Sequence, residues 1–307
     1  MIVSVLISTL RRNEEKEMIS VSANTTEVPS PVKDNRTKKG IAALLCAVIA
    51  FSAGTLTEYL LKTFTDIDPE IPTRLCRAVL SMAAFVILGG KKWMHFDLKA
   101  FGKTFLICLP IFIYTLYLTV PEVIWQINNP DIPPGMFGRI CYFLGVFIVV
   151  GLNEEFIFRG LVLGGLLLWL GKKKNGILIA TIIASLIFGY VHVMNSIDFT
   201  NIYSVLTSLF KTLQTGMFGI FMCYCFIKFK QVWGIAAVHF LDDFLLRLPD
   251  TMERINTSKE YVHVERDAAI SSIIWYSECM LVYLIPVILM FIKMRKTEPT
   301  EGPFGDV

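Results

Sequence analysis

Six ionisable side chains in apolar surroundings set the question of what this chain does: Glu154, Glu155 and Arg159 in one stretch, His192 closing another, and His239 with Asp243 in a third. A charge at mid-bilayer costs on the order of 3 kcal/mol on insertion scales, so such groups are expected to gather in a polar site that faces the protein interior. Glu155 and Arg159 are four residues apart and so share one helix face. Glu154 is turned away from them by about 100°. The two carboxylates therefore have different tasks. Glu155 is anchored by Arg159, whereas Glu154 is free to act as a general base on water.

A single histidine in an apolar run is most often a hydrogen-bonded packing residue. Two of them together with an unpaired glutamate read as a site. His239 and Asp243 stand at four-residue spacing, so Asp243 is expected to accept a hydrogen bond from one ring nitrogen and set the tautomer of the other. Asp242 is expected to point elsewhere, towards water near the end of its helix. Imidazoles can hold a developing oxyanion, and they can equally ligate a metal. Glu154, His192 and His239 have the mixed nitrogen and oxygen character of a catalytic zinc site with an open position. The chain has no His-Glu-x-x-His zinc signature, no Gly-x-Ser-x-Gly and no aspartyl-protease pairing. Metal-free hydrolysis is the preferred reading, and a divalent metal such as zinc is the alternative.

The elements that must carry these residues are membrane helices. Of 307 residues, 54% are hydrophobic and 18% charged, a balance that excludes an ordinary soluble domain. With roughly 20 apolar residues needed per span, the blocks fall at 41–62, 75–90, 101–127, 137–170, 176–194, 202–229, 232–248 and 268–292. The expected fold is thus an all-α polytopic bundle of about eight transmembrane helices, with its catalytic core in the C-terminal half. Lys and Arg cluster before the first block and after the second, fourth, sixth and eighth. Under the positive-inside rule, that alternation puts both termini in the cytoplasm. The fourth block exceeds one membrane thickness, and Gly151 and Asn153 are the expected places for a bend. Pro110, Pro121, Gly216 and Gly219 are expected to shape a cleft. Counted from the flanking lysines at about 1.5 Å per residue, Glu154 and His192 lie at similar depth and His239 nearer the surface, so straight helices would not bring the three level.

The chain divides into a flexible cytoplasmic tail over 1–39, N-terminal membrane helices over 40–136, a core over 137–248, a last loop and helix over 249–293, and a loose tail over 294–307. The apolar start is not a signal peptide, because its charged residues follow it and ten residues are too few to span. The seven cysteines form no disulfide or zinc pattern and read as small buried hydrophobes.

The order Glu-Glu-x-x-x-Arg, then Phe-x-x-x-His, then His-x-x-x-Asp on successive apolar helices resembles the CPBP family, the CAAX protease and bacteriocin-processing enzymes, also called the Abi family. The resemblance covers about 137–248. It implies an intramembrane endopeptidase of CAAX type, or one that processes bacteriocin leaders, in which Glu154 activates water and Glu155 with Arg159 supports it. His192, with His239 and Asp243, would then polarise the carbonyl or hold the oxyanion. Asp243 stands where relatives often have Asn, a departure that changes the charge around His239. The implied partners are a peptide or protein substrate and the lipid bilayer, with no nucleic acid. A small chain with short loops fits a bacterial plasma membrane. The competing reading is a non-proteolytic scaffold or immunity protein, or a proton-coupled transporter. The complete three-part order and the lack of an internal repeat argue against it.

Overall fold

The computed structural model describes residues 31–128, 135–252 and 261–305. The chain forms two units, Met1–Lys38 and Lys39–Val307. In the first, the described residues are helical; all that follows concerns the second.

Nine helices carry the described residues, which contain no strand: α1 Pro31–Phe64, α2 Glu70–Ile87, α3 Leu98–Ile107, α4 Leu109–Asn128, α5 Met136–Leu170, α6 Gly176–Val191, α7 Ile202–Phe229, α8 Trp233–Met252 and α9 Arg266–Arg295. Their starts follow from local chemistry. Asp97 caps α3 by accepting from the N–H groups of Lys99 and Ala100 at 2.8 and 3.2 Å. Asn201 caps α7 by accepting from Tyr203 and Ser204.

The expected third span is broken. α3 ends before Cys108, and α4 begins at Leu109 with Pro110 in its first turn. Proline has no N–H to continue the ladder and clashes with the preceding turn, so a helix reaching residue 110 must restart there. The expected fourth span is one continuous helix, but its irregularity is not at Gly151 or Asn153. Glu155–Leu163 is π-helical, and the α-helix resumes at Gly164.

Among the described residues, five helices are long and apolar enough to cross a membrane: Asn35–Phe64 within α1, then α4, α5, α7 and α9. The other three expected spans do not meet that measure. α6 has 16 residues, a reach of about 24 Å against about 30 Å of hydrocarbon. α2 carries Glu70, Arg74 and Arg77, and α8 carries Asp242, Asp243, Arg247 and Asp250. Large apolar side chains on α1, α4 and α9, among them Val48, Ile49, Ile113, Leu281 and Ile285, are exposed. An outward apolar face on several helices is what a hydrocarbon solvent accommodates.

The second half of α5 is the centre of the molecule, with every residue from Glu155 to Leu168 buried. α2, α6 and α7 pack on its π-helical segment, α8 packs along its first half, and α9 lies against α7. Two glycines permit the closest approaches. A Cβ on Gly151 would stand 2.7 Å from the Ala236 carbonyl of α8, and one on Gly189 of α6 would stand 2.1 Å from the Thr212 carbonyl of α7. Any side chain there would force the helices apart.

Neither tail is as loose as expected where it is described. Residues 31–39 are helical, while 1–30 lie outside the described residues. At the other end Gly302–Phe304 forms a 3-10 turn. Phe304 is buried against the Phe85 ring at 5.5 Å, its carbonyl accepts from Lys39 Nζ at 2.9 Å, and Glu301 pairs with Lys172.

Candidate active site

The six residues singled out by type and spacing meet at one place, brought together by α5, α6 and α8. The π-helical segment begins at Glu155, and Glu154 and Glu155 approach the two ring nitrogens of His239, Nε2 and Nδ1 respectively.

Glu155 and Arg159 form the buried half. Their side chains are 0% and 1% exposed, and Arg159 Nη1 donates to Glu155 Oε1 at 2.9 Å. The guanidinium also donates to the Gly219 carbonyl of α7 at 3.5 Å and lies 4.2 Å above the Phe188 ring, a contact that offsets part of its desolvation. His239 joins this half from α8. Its Nδ1–H donates to the same Glu155 Oε1 at 2.6 Å. The ring is packed against Phe218 and Phe188 at 5.1 and 5.8 Å between centroids.

Glu154 and His192 form the open half. Glu154 Oε2 has no hydrogen-bond partner among the described residues. It faces His239 Nε2 at 3.5 Å and His192 Nε2 at 3.7 Å. His192 sits at the C-terminal end of α6, where its Nδ1–H donates to the Phe188 carbonyl at 2.8 Å. With Nδ1 carrying that hydrogen, the neutral ring turns an unprotonated Nε2 towards Glu154. These groups line a cavity of about 500 Å³ together with Phe143, Phe147, Phe218 and Leu246.

Three expectations need correction. The residue that orients His239 is Glu155, from another helix, and not Asp243. Asp243 Oδ2 stands 3.6 Å from His239 Nε2, beyond a hydrogen bond. Asp242 does not face water: it is 5% exposed and accepts from Thr115 of α4 at 2.5 Å. The depth mismatch expected for His239 is absent, because the close approach of α8 to Gly151 sets His239 directly beside Glu154 and Glu155. Sequence reasoning also passed over Lys211, which lines the same cavity from α7 at 8% exposure. A lone lysine inside an apolar span was the available signal.

With the geometry in place, the comparison with known proteins bears on it directly. Residues 136–245 match the family model described as Type II CAAX prenyl endopeptidase Rce1-like. The match covers a little over a third of the chain, coincides with the expected core, and contains all six residues of the cluster. No curated protein matches the chain, and no solved structure does. The Rce1-like segment therefore runs from the start of α5 through the π-helical turn, α6 and α7, and ends on α8 just past Asp243.

Glu154, His192 and His239 are also the set considered for a divalent metal. Among the described residues no group of three or more His, Cys, Asp or Glu side chains is arranged to hold an ion. What the Rce1-like segment does present is a carboxylate oxygen without a protein partner, two imidazole edges beside it and an accessible cavity in front.

Proposed function

We propose that this protein is an intramembrane endopeptidase of the CAAX type, hydrolysing a peptide bond near the C-terminus of a membrane-anchored substrate. The observation that carries the reading is the open carboxylate of Glu154, which faces the Nε2 atoms of His192 and His239 at 3.7 and 3.5 Å in a cavity large enough for a short peptide. The match of the same segment to an Rce1-like endopeptidase family supports it.

A water held between Glu154 and His192 Nε2 loses its proton to Glu154 as its oxygen attacks the carbonyl carbon. The carbonyl oxygen becomes an oxyanion. His239, whose Nδ1–H is engaged by Glu155, donates to that oxyanion from Nε2 when it carries a second proton there. Collapse breaks the C–N bond, and the proton on Glu154 passes to the departing amine. Glu155 and Arg159 touch no substrate in this scheme; they hold the His239 ring in place. Asp243 tunes the charge beside that ring.

In this reading the chain is an integral membrane protein with both termini on the cytoplasmic side, as the distribution of Lys and Arg between its apolar blocks suggests. The direct test is mass spectrometry of an S-farnesylated peptide ending in a Cys-aliphatic-aliphatic-X sequence, incubated with detergent-purified protein. Release of the last three residues by the wild type and not by Glu154→Gln supports the assignment. Intact peptide with both, or equal cleavage by both, rejects it.

A further inference from the structure

Three cations line the cavity: Arg74, Lys211 and Arg247. Arg74 is paired with Glu70 at 3.3 Å, and Arg247 with Asp250 at 2.8 Å. Lys211 differs. It is 8% exposed, yet among the described residues no carboxylate stands in ion-pair contact with it. Its Nζ donates to the Gln214 amide oxygen at 3.1 Å and lies over the rings of Tyr261, Tyr276 and Trp275 at 4.4, 5.4 and 5.9 Å.

A buried ammonium held only by an amide oxygen and ring faces retains donor capacity and net charge. None of the acidic groups lining the cavity is in ion-pair contact with Lys211, and Glu70 is paired with Arg74. Asp242 accepts from Thr115, while Asp243 and Glu154 both face His239. The complement that Lys211 lacks is thus an anion delivered by the ligand. In a site that cuts a peptide bond, the anion every linear peptide supplies is its free C-terminal carboxylate.

We propose that Lys211 is the anchor for the substrate's C-terminal carboxylate, and that this contact sets which bond reaches Glu154. The aromatic rings around the ammonium make its surroundings weakly polar, so a carboxylate reaching it from the cavity forms a charge-assisted hydrogen bond. Anchoring the terminus on α7 and activating water on α5 makes the enzyme measure a fixed distance from the chain end. Internal sequences and C-terminal amides, which bring no charge to Lys211, would be excluded. This inference rests on the hydrolytic reading of the same cavity, and its test is arranged so that the two fail separately.

The readout is equilibrium binding to detergent-purified Glu154→Gln protein, so that turnover plays no part. The probe is an S-farnesylated peptide ending in Cys-Val-Ile-Met, prepared as the free acid and as the C-terminal amide. The acid should bind at least about tenfold more tightly than the amide, as expected of a hydrogen bond between charged partners. Adding Lys211→Met should bring the ratio within about twofold, and Lys211→Arg should keep it, since the charge remains. Lys211→Gln serves as the second neutral variant should the methionine protein fail to fold. A ratio near one before Lys211 is changed, a ratio that survives Lys211→Met or Lys211→Gln, or no binding of either peptide overturns the anchor. A Lys211-dependent preference for the acid in a protein whose wild type cleaves neither peptide keeps the anchor and rejects the hydrolytic reading.

Discussion

Two halves of one polar cluster, only a residue apart in sequence, are built on opposite principles. Around Glu155 the carboxylate, the guanidinium of Arg159 and Nδ1 of His239 are within 2.9 Å of one another's acceptor, and all three side chains are 3% exposed or less. Around Glu154 the nearest nitrogens stand at 3.5 and 3.7 Å, and the side chains of Glu154 and His192 are 16% and 23% exposed. In the first half the charges are paired through Glu155 Oε1, while Glu155 Oε2 and Arg159 Nε have no hydrogen-bond partner among the described residues. The members of the second are not hydrogen-bonded to one another and line a cavity. A buried pair with both partners present fixes geometry, and removing one member leaves a charge uncompensated. A carboxylate oxygen without a hydrogen-bond partner is available for chemistry. Stability and reactivity are thus assigned to adjacent residues, and the roughly 100° between neighbours on a helix gives the two side chains different surroundings.

The sharpest way to break this comparison is Glu154→Gln. It should lower hydrolysis by roughly a thousandfold, the range of general-base contributions, while thermal unfolding of the purified protein stays near wild type. A large loss of folded protein would place Glu154 in the closed half. Next in size is Arg159→Met, which removes the Glu155 counter-charge and leaves only His239 on it, and should destabilise the protein by about 3–5 kcal/mol. Denaturation or the yield of folded protein reads this out; an unchanged melting temperature would contradict it. Gly151→Leu tests the approach of α8 to α5. The added side chain meets the Ala236 carbonyl and should cost about 1–3 kcal/mol by overpacking. It should also reduce kcat by displacing His239, and activity equal to wild type would show that the approach does not position the ring.

The smallest effect lies outside the cluster. Asp68, in the loop before α2, is held below the ordinary carboxylate range by the Tyr142 hydroxyl, which donates at 2.5 Å, and by the Glu70 N–H. A carboxylate lowered on folding contributes stability above its unfolded value, and that contribution is lost as pH falls through the folded one. Tyr142→Phe should therefore reduce stability slightly at neutral pH and have no effect once the pH is well below about 3. Melting curves at both ends of that range check it, and equal differences at the two would remove the link.

Much of the site was legible in the sequence because charge in apolar runs is conspicuous. Glu154, Glu155, Arg159, His192, His239 and Asp243 were found that way, and the four-residue spacing of Glu155 and Arg159 gave their ion pair. Spacing along one helix said nothing of what arrives from another. The same rule therefore assigned Asp243 to His239, although Glu155 of α5 holds the ring more closely. Asp242 was misjudged for the same reason, since Thr115 reaches it from α4. Helix positions were readable from apolar blocks, apart from the restart at Pro110. The π-helical turn was not readable, because Glu155–Leu163 has the composition of an ordinary buried helix. The packing of Phe304 depends on Phe85 and Lys39, far away in sequence, and no local pattern marks it.

The division between the two glutamates is tested most directly by measuring turnover and melting temperature together for Glu154→Gln and Glu155→Gln. Each variant deletes one negative charge at almost no change in volume. The account predicts that Glu154→Gln loses hydrolysis and keeps its melting temperature, while Glu155→Gln loses melting temperature as Arg159 and His239 are left unanswered. Equal behaviour of the two variants, or the reverse assignment, would contradict it.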